Sequence, residues 1–538
     1  MHAWEASYPP GCRWDAPIAR GTLPAFLDDI AARWGARPAL EYRGRVLSYA
    51  ELRDRAHRVA AGLVARGVRP GDAVGLYLPN TPWHPVFFFA VLCAGARVVH
   101  LSALDARREL AHKLHDSGAR LLVTTGFPTL AENAAWLLNE GAAQAVILAP
   151  DAEWGGEDAP ADPRFAPVPD AAPSATWPEV TPDAVAVLQY TGGTTGTPKG
   201  AVLTHGNLTA AVNIYLAWRD AASLPAGEQR VLLALPLFHI FALTAVLLRQ
   251  LAEGNQVLLR PRFDAAQWAD DVERHRVSVF SGVPTMWIGI ANLPGIERRN
   301  LSSLRMCSSG GAPMPFEVQV RLETALGLRI GGGWGMTETC PAGTRITLDA
   351  PQRPGMIGLP LPGIELRIVS LDDPSRSLPP GEVGEIAVRG PNVFGGYWNR
   401  PEESAAVFRD GFFLTGDIGW MDERGFFTIV DRRKNMIISS GFNVYPAAIE
   451  QAIYEHPDVA ECIVIGVPDA YRGQAAKAFV ALKPGASAFT LEDLRGFLAD
   501  RIGRHEMPAA LEIRDSLPRT PAGKLLAAAL RAEAGAGQ

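Results

Sequence analysis

The residues best suited to chemistry lie at 189–200, QYTGGTTGTPKG, directly after the apolar run 184–188. A strand is expected to end there in a loop rich in glycine and threonine. Gly192, Gly193 and Gly196 let the backbone approach a phosphate with no Cβ in the way, and they reach positive φ cheaply. Successive N–H groups then form an anion-binding concavity. Thr191, Thr194, Thr195 and Thr197 add hydroxyl donors, and Lys199 adds a point charge. The spacing is not that of a Walker A loop, Gly-x-x-x-x-Gly-Lys-[Ser/Thr]. A flexible surface turn is the plain alternative. The concentration of donors points instead to a nucleotide phosphate.

Other polar residues carry weaker signals alone. Glu338, at the end of GGGWGMTE (331–338), reads as a solvated carboxylate at a helix start. His239 reads as a core histidine with satisfied hydrogen bonds, or as a site residue. Asp417 in 415–417 reads as an Asx-turn residue, and the glycines of SSGGAP (308–313) as a tight turn after a strand. The basic run 432–434 reads as a solvated face, and Lys524 as a solvated tail lysine, although Pro521 and Gly523 shape the loop before it.

These residues must be held by alternating helices and strands. Ser48 and Glu51 have capping-box spacing, and Leu52, Ala56, Val59 and Leu63 follow at helical period up to Gly67. Strands are expected at 73–78, 97–101 and 120–124, with helices at 85–93 and 106–116. Strands separated by helices imply parallel sheets covered on both faces. Residues 150–182, rich in Ala, Pro, Asp and Glu, read as a surface linker. Alternation resumes with strands at 231–235, 256–260, 278–281 and 304–308. Residues 355–430 change to short strands and Gly/Pro turns, a smaller β-rich subdomain. Beyond Lys434, helix, strand, strand, helix and strand signals make a compact α+β unit.

Bulk properties narrow the function classes. A 538-residue chain is expected to form two to four packed units. The net charge of −6 gives no support to a nucleic-acid partner. The five cysteines include no close pair, so neither a disulfide framework nor a zinc site is suggested, and a reducing cytoplasm is expected. Residues 1–12 lack the apolar stretch of a signal peptide. The stretch 85–93 is shorter than the roughly 20 residues needed to span a bilayer.

The segment 190–208, YTGGTTGTPKGAVLTHGNL, resembles the signature of the adenylate-forming superfamily of acyl-CoA synthetases, adenylation domains and luciferases. The resemblance runs from about residue 23 to residue 524, with its motifs in the family's order. LPLFHIFALT (235–244), VRGPNVFGGYW (388–398) and SGFNVYPAAIE (440–450) most resemble long-chain and medium-chain fatty-acyl-CoA synthetases. The fold implied is α/β: a large N-terminal domain of two αβ sheets plus a distorted β-barrel, and a small mobile α+β C-terminal domain. The boundary falls between residues 1–433 and 434–538.

The resemblance also implies roles. The loop residues Thr191 to Lys199 would cradle ATP phosphates. Gly333, Trp334, Gly335 and Met336 would face the base, with Trp334 standing where tyrosine is more usual; an indole offers a larger π-face. Gly311, Ala312 and Pro313 would lie between the adenine and acyl pockets. Thr337 and Glu338 would stand beside the phosphates, with Glu338 and Thr194 as the oxygen ligands of Mg²⁺. Asp417 and Arg432 would hold the ribose, and Lys434 would be the hinge. Gly441 would let the pantetheine arm of coenzyme A pass. Lys524 would be the catalytic lysine, and His239 would position the acid. After Lys524, LLAAALR lacks the family's usual basic pair, which weakens coenzyme A contacts there.

The implied activity is an AMP-forming acid–thiol ligase using ATP, Mg²⁺ and coenzyme A. Its substrate would be a medium- or long-chain fatty acid, with an aryl or branched acid, or loading of a carrier protein, as alternatives. Peripheral membrane contact and a homodimer stay open. Outside that class stand a luciferase-like oxygenase and a non-catalytic nucleotide-binding protein.

Overall fold

The computed structural model describes residues 2–534 except 160, 175, 192–197, 221, 222, 313, 315, 348, 349, 351, 352, 440, 441, 470 and 520–524. Ser48 accepts from the backbone of Glu51, whose carboxylate answers on the Ser48 N–H, and this reciprocal cap starts the helix Tyr49–Ala65. Helix Trp83–Cys93 is buried at every position and packs on Leu23–Trp34 and Tyr49–Ala65. An element apolar all round has no solvent face, so it lies inside the molecule.

Two seven-stranded sheets flank this core. The first runs in the order Ala166–Pro167, Ala145–Ala149, Leu121–Thr125, Ala73–Leu76, Arg97–His100, Val185–Thr191, Lys199–Thr204. It is parallel except for the last pair, in which Thr191 lies opposite Lys199. The second runs Ile330–Gly331, Met306–Ser309, Val279–Gly282, Arg230–Leu233, Gln256–Leu259, Pro38–Tyr42, Arg45–Ser48, again ending in one antiparallel pair. A third sheet, built between Thr344 and Arg432, is antiparallel throughout. The last is formed between Ile437 and Arg514 and carries the helices Pro446–Tyr454 and Leu491–Leu498. Among the described residues no helix is long and apolar enough to cross a membrane.

The stretch 150–182 is more than a linker. Asp151 and Trp154 are buried, and Ala166–Pro167 adds an edge strand. Asp151 accepts from the Tyr42 hydroxyl at 3.1 Å and from Arg43 at 2.6 Å, partners that a local reading of composition does not reveal.

The two large sheets are pinned together where the loop 236–239 leaves the second one. Buried Asn80 donates to the Leu235 carbonyl and accepts from the Leu237 N–H, each at 2.8 Å. Gln189 donates to the Phe238 carbonyl at 2.8 Å. That bond fixes the Gln189 amide so that its oxygen accepts from His100 Nδ1 at 3.0 Å. Burial pushes His100 and His205 down to about 4 and His84 well below its ordinary value, so all three are neutral at pH 7.

Asn80→Ala strands two buried backbone groups. It should lower unfolding stability by about 3 kcal/mol in denaturant titrations. The three histidines predict a pH dependence of defined sign. Between pH 6.5 and about 4 the unfolded chain binds protons that the native state refuses, so their contribution is complete above 6.5 and lost on acidification. Denaturant midpoints should therefore be lower at pH 5 than at pH 7, and equal midpoints would contradict this.

Candidate active site

The glycines of 331–335 are dictated by a neighbouring segment. A Cβ at Gly335 would sit 1.4 Å from the Pro341 carbonyl oxygen, and one at Gly333 would sit 2.2 Å from that of Thr344. Gly343 in turn leaves room for the Trp334 indole. Backbone bonds from Thr344 to Trp334 and from Ile346 to Gly332, both 2.9 Å, lace the two segments together. Trp334 thereby has one position. Its indole N–H donates to Asp417 Oδ2 at 2.7 Å.

Asp417 sits on strand Phe412–Met421 directly opposite Arg432 on Phe427–Arg432, so strand register makes the pair. Arg432 Nε lies 2.8 Å from Asp417 Oδ1. The carboxyl is buried, which raises its pKa, while Arg432 and the indole oppose that rise. Asp417 is therefore a strand residue, not the Asx-turn residue that its local sequence suggests. Its two oxygens are oriented by different donors.

Glu338, in the short turn Thr337–Thr339, is also buried, and burial raises its pKa. Its Oε1 accepts from the Tyr397 hydroxyl at 2.9 Å. The Phe394 N–H donates to its backbone carbonyl at 2.8 Å. Lys199 pairs with Glu403 and stands over the Tyr397 ring, 5.7 Å from its centroid. Tyr397 thus links the loop lysine to the buried carboxylate. Neither Tyr397 nor Glu403 was singled out from sequence. The only signal was Tyr397's place in VRGPNVFGGYW.

His239 accepts the Phe241 N–H on Nδ1 at 3.2 Å. The imidazole therefore carries its proton on Nε2, and Nδ1 is not available as a base. The Phe241 ring lies against Gly310, where a Cβ would approach it to 2.8 Å, and Gly311 has φ +77, a conformation suited to glycine. Ala312 is half-buried beside it.

One cavity of about 310 Å³ joins these parts. Thr191, His239, Gly311, Gly333, Trp334, Gly335, Met336, Thr337, Glu338 and Arg432 all line it. Lys434 is exposed and is not among its walls. Gly192, Gly193, Thr194, Thr195, Gly196, Pro313, Gly441 and Lys524 lie outside the described residues.

Glu338 suits the Mg²⁺ that the sequence resemblance implies. It is a buried carboxylate with one oxygen held by Tyr397. Mg²⁺ commonly takes one or two carboxylates and completes its shell with phosphate oxygens and water.

Comparison with known proteins identifies the family. Residues 27–398 match the AMP-binding enzyme family, and residues 448–524 match the AMP-binding enzyme C-terminal domain. The chain is 37% identical to a long-chain-fatty-acid–CoA ligase of Bacillus subtilis, over 97% of this chain and 96% of that one. It is 41% identical to a feruloyl-CoA synthase of Amycolatopsis, over 92% and 95% respectively. The crystal structure of ATP-bound MatB from Rhodopseudomonas palustris superposes with a TM-score of 0.82 at 31% identity, covering 95% of this chain and 98% of that one. The chain therefore belongs to the AMP-binding enzyme family, as an ATP-dependent, AMP-forming acid–thiol ligase.

Proposed function

We propose that the protein makes acyl-CoA in two steps within the cavity bounded by Trp334, Glu338, Arg432 and His239. The observation that carries this reading is the continuity of that one cavity, from the Asp417–Arg432 pair to the wall around His239 and Phe241. A nucleotide with its ribose near Asp417 would bring its α-phosphate towards an acid lying near His239. The acid's oxygen attacks the α-phosphorus, the bond to the bridging oxygen breaks, and pyrophosphate leaves. A coenzyme A thiol then attacks the carbonyl carbon of the mixed anhydride, losing its proton, and AMP leaves with the electron pair.

Two anions meet in the first step, so fixed positive charge is the main requirement. We assign it to Lys524 across the carboxylate and α-phosphate and to Lys199 with the loop donors. Mg²⁺, held by Glu338 and Thr194, would neutralise charge on the phosphates. His239 positions the acid through its Nε2–H. For the second step, residues 434–538 would swing about Lys434, withdrawing Lys524 and bringing Gly441 beside the thiol's path. Five buried free cysteines are compatible with a reducing cytoplasm.

Two classes of acid have support. Medium- or long-chain fatty acids are favoured by the Bacillus relative. An aryl acid is favoured by the feruloyl-CoA relative and by a cavity wall that includes Tyr215, Gln250 and Ser281. That polar lining makes the second class the better fit.

Lys524→Ala should slow acid-dependent pyrophosphate release by about 100-fold or more, yet leave thioester formation from synthetic acyl-AMP largely intact. Equal loss of both half-reactions in a folded protein would refute this division of labour. Trp334→Phe keeps the ring and deletes the donor to Asp417. ATP affinity measured by calorimetry should fall about tenfold, the worth of one hydrogen bond to a charged group.

A further inference from the structure

The far end of the cavity is not closed by hydrocarbon alone. Val279 and Met306 begin the strands Val279–Gly282 and Met306–Ser309, whose other ends, with Ser281, Ser308 and Ser309, face the nucleotide side. Strand rise puts the two ends about 10 Å apart. Arg249 and Gln250 border Val279 and Met306 both in this cavity and in a smaller one behind it. Arg345 lines the same cavity.

Both arginines are largely buried, with 13% and 18% of their side chains exposed. Burial and the charge of Arg249 push Arg345 down to about 10, so it still carries its proton at neutral pH. Each has a carboxylate behind it, but at arm's length. Glu253 Oε1 is 3.9 Å from Arg249 Nε, and Asp220 Oδ2 is 3.5 Å from Arg345 Nε. Asp220 also accepts from the Trp218 indole N–H at 2.9 Å. The buried Arg249 Nε has no hydrogen-bond partner among the described residues. The Arg249 guanidinium stands over the Tyr215 ring, 5.6 Å from its centroid.

Arg305 and Arg329 also line the cavity but are exposed to water. The buried guanidinium groups of Arg249 and Arg345 are expensive if an alkyl tail is pressed against them, because their N–H groups lose water and gain no acceptor. A guanidinium can only donate. We propose that Arg249 and Arg345 form a recognition subsite for an acceptor oxygen carried by the substrate acid at the end opposite its reacting carboxylate. This rests on the ligase reading above and names the kind of acid that it takes. The separation of about 10 Å suits an acid whose distal oxygen is some eight atoms from C1. A second carboxylate and a phenolic oxygen are the two sources of that acceptor.

The test compares matched acids in the coenzyme A-dependent reaction: suberate against octanoate, and 4-hydroxycinnamate against cinnamate. The unaltered protein should prefer the oxygenated member by about tenfold or more in kcat/KM in at least one pair, and the pair that responds identifies the source. Arg249→Met and Arg345→Met should raise KM for that acid and bring the ratio towards one, while Arg249→Lys, which keeps a donor, should retain part of it. ATP binding measured without acid reports whether each variant is folded. Should the methionine variants fail to fold, the matched pairs on the unaltered protein still decide.

Equal use of both members in both pairs, or preference for the bare acids, overturns the subsite while leaving the ligase reading standing. A preference unchanged in both folded methionine variants overturns it too. If no acid releases pyrophosphate, the ligase reading falls and the subsite with it.

Discussion

A buried carboxylate held by two different donors is the constraint from which the rest of the site follows. Asp417 is raised by burial and kept in place by Arg432 on one oxygen and the Trp334 indole on the other. Burying such a group without partners would cost several kcal/mol, so both donors must be fixed in advance. Arg432 is fixed by strand register. Trp334 is fixed by a strip of glycines lying so close to 341–345 that a single Cβ would collide with backbone oxygens. The small residues here set where an indole nitrogen points.

The cations of the site differ in how firmly they are held. Lys199 pairs with Glu403, whose side chain is 40% exposed. An ion pair of that kind contributes at most about 1 kcal/mol, so it is exchanged for another anion at little cost. Arg432 instead faces a carboxylate that is only 3% exposed and cannot be rehydrated without opening the strand pair. One cation is thus easily drawn from its partner while the other stays with Asp417. Tyr397 stands between the two regimes, with its hydroxyl on Glu338 and its ring beneath Lys199.

Much of this was legible because it is local. The Ser48 cap, the strand leading to the phosphate loop, the buried helix at 85–93 and the alternation in both large sheets all depend on neighbours within a few residues. Asp417 and Arg432 could be paired only through family resemblance, since their approach depends on register between strands. The burial of Asp151 depends on Tyr42 and Arg43, more than a hundred positions away. Tyr397 and Glu403 escaped notice for the same reason. Each looks like an ordinary surface residue until the fold brings it against Glu338 or Lys199.

The acid-binding end takes this furthest. Arg249 directly follows the π-helical stretch Phe241–Leu248, and its backbone N–H reaches back to the Thr244 carbonyl. Wide turns of this kind recur at functional sites because they displace the side chains that follow. Phe241, Ala245 and Arg249 all line the cavity, so one face of this segment runs from an aromatic ring to a charge. Read as sequence, FALTAVLLR is an apolar stretch ending in an arginine that would be assigned to solvent. The short strand Thr344–Arg345, paired into the third sheet, brings a second buried guanidinium to the same cavity. A scaffold shared by enzymes acting on many acids can keep its nucleotide end fixed by backbone collisions while the far end changes through single side chains on two elements. The identity of the acid therefore resides where sequence periodicity says least.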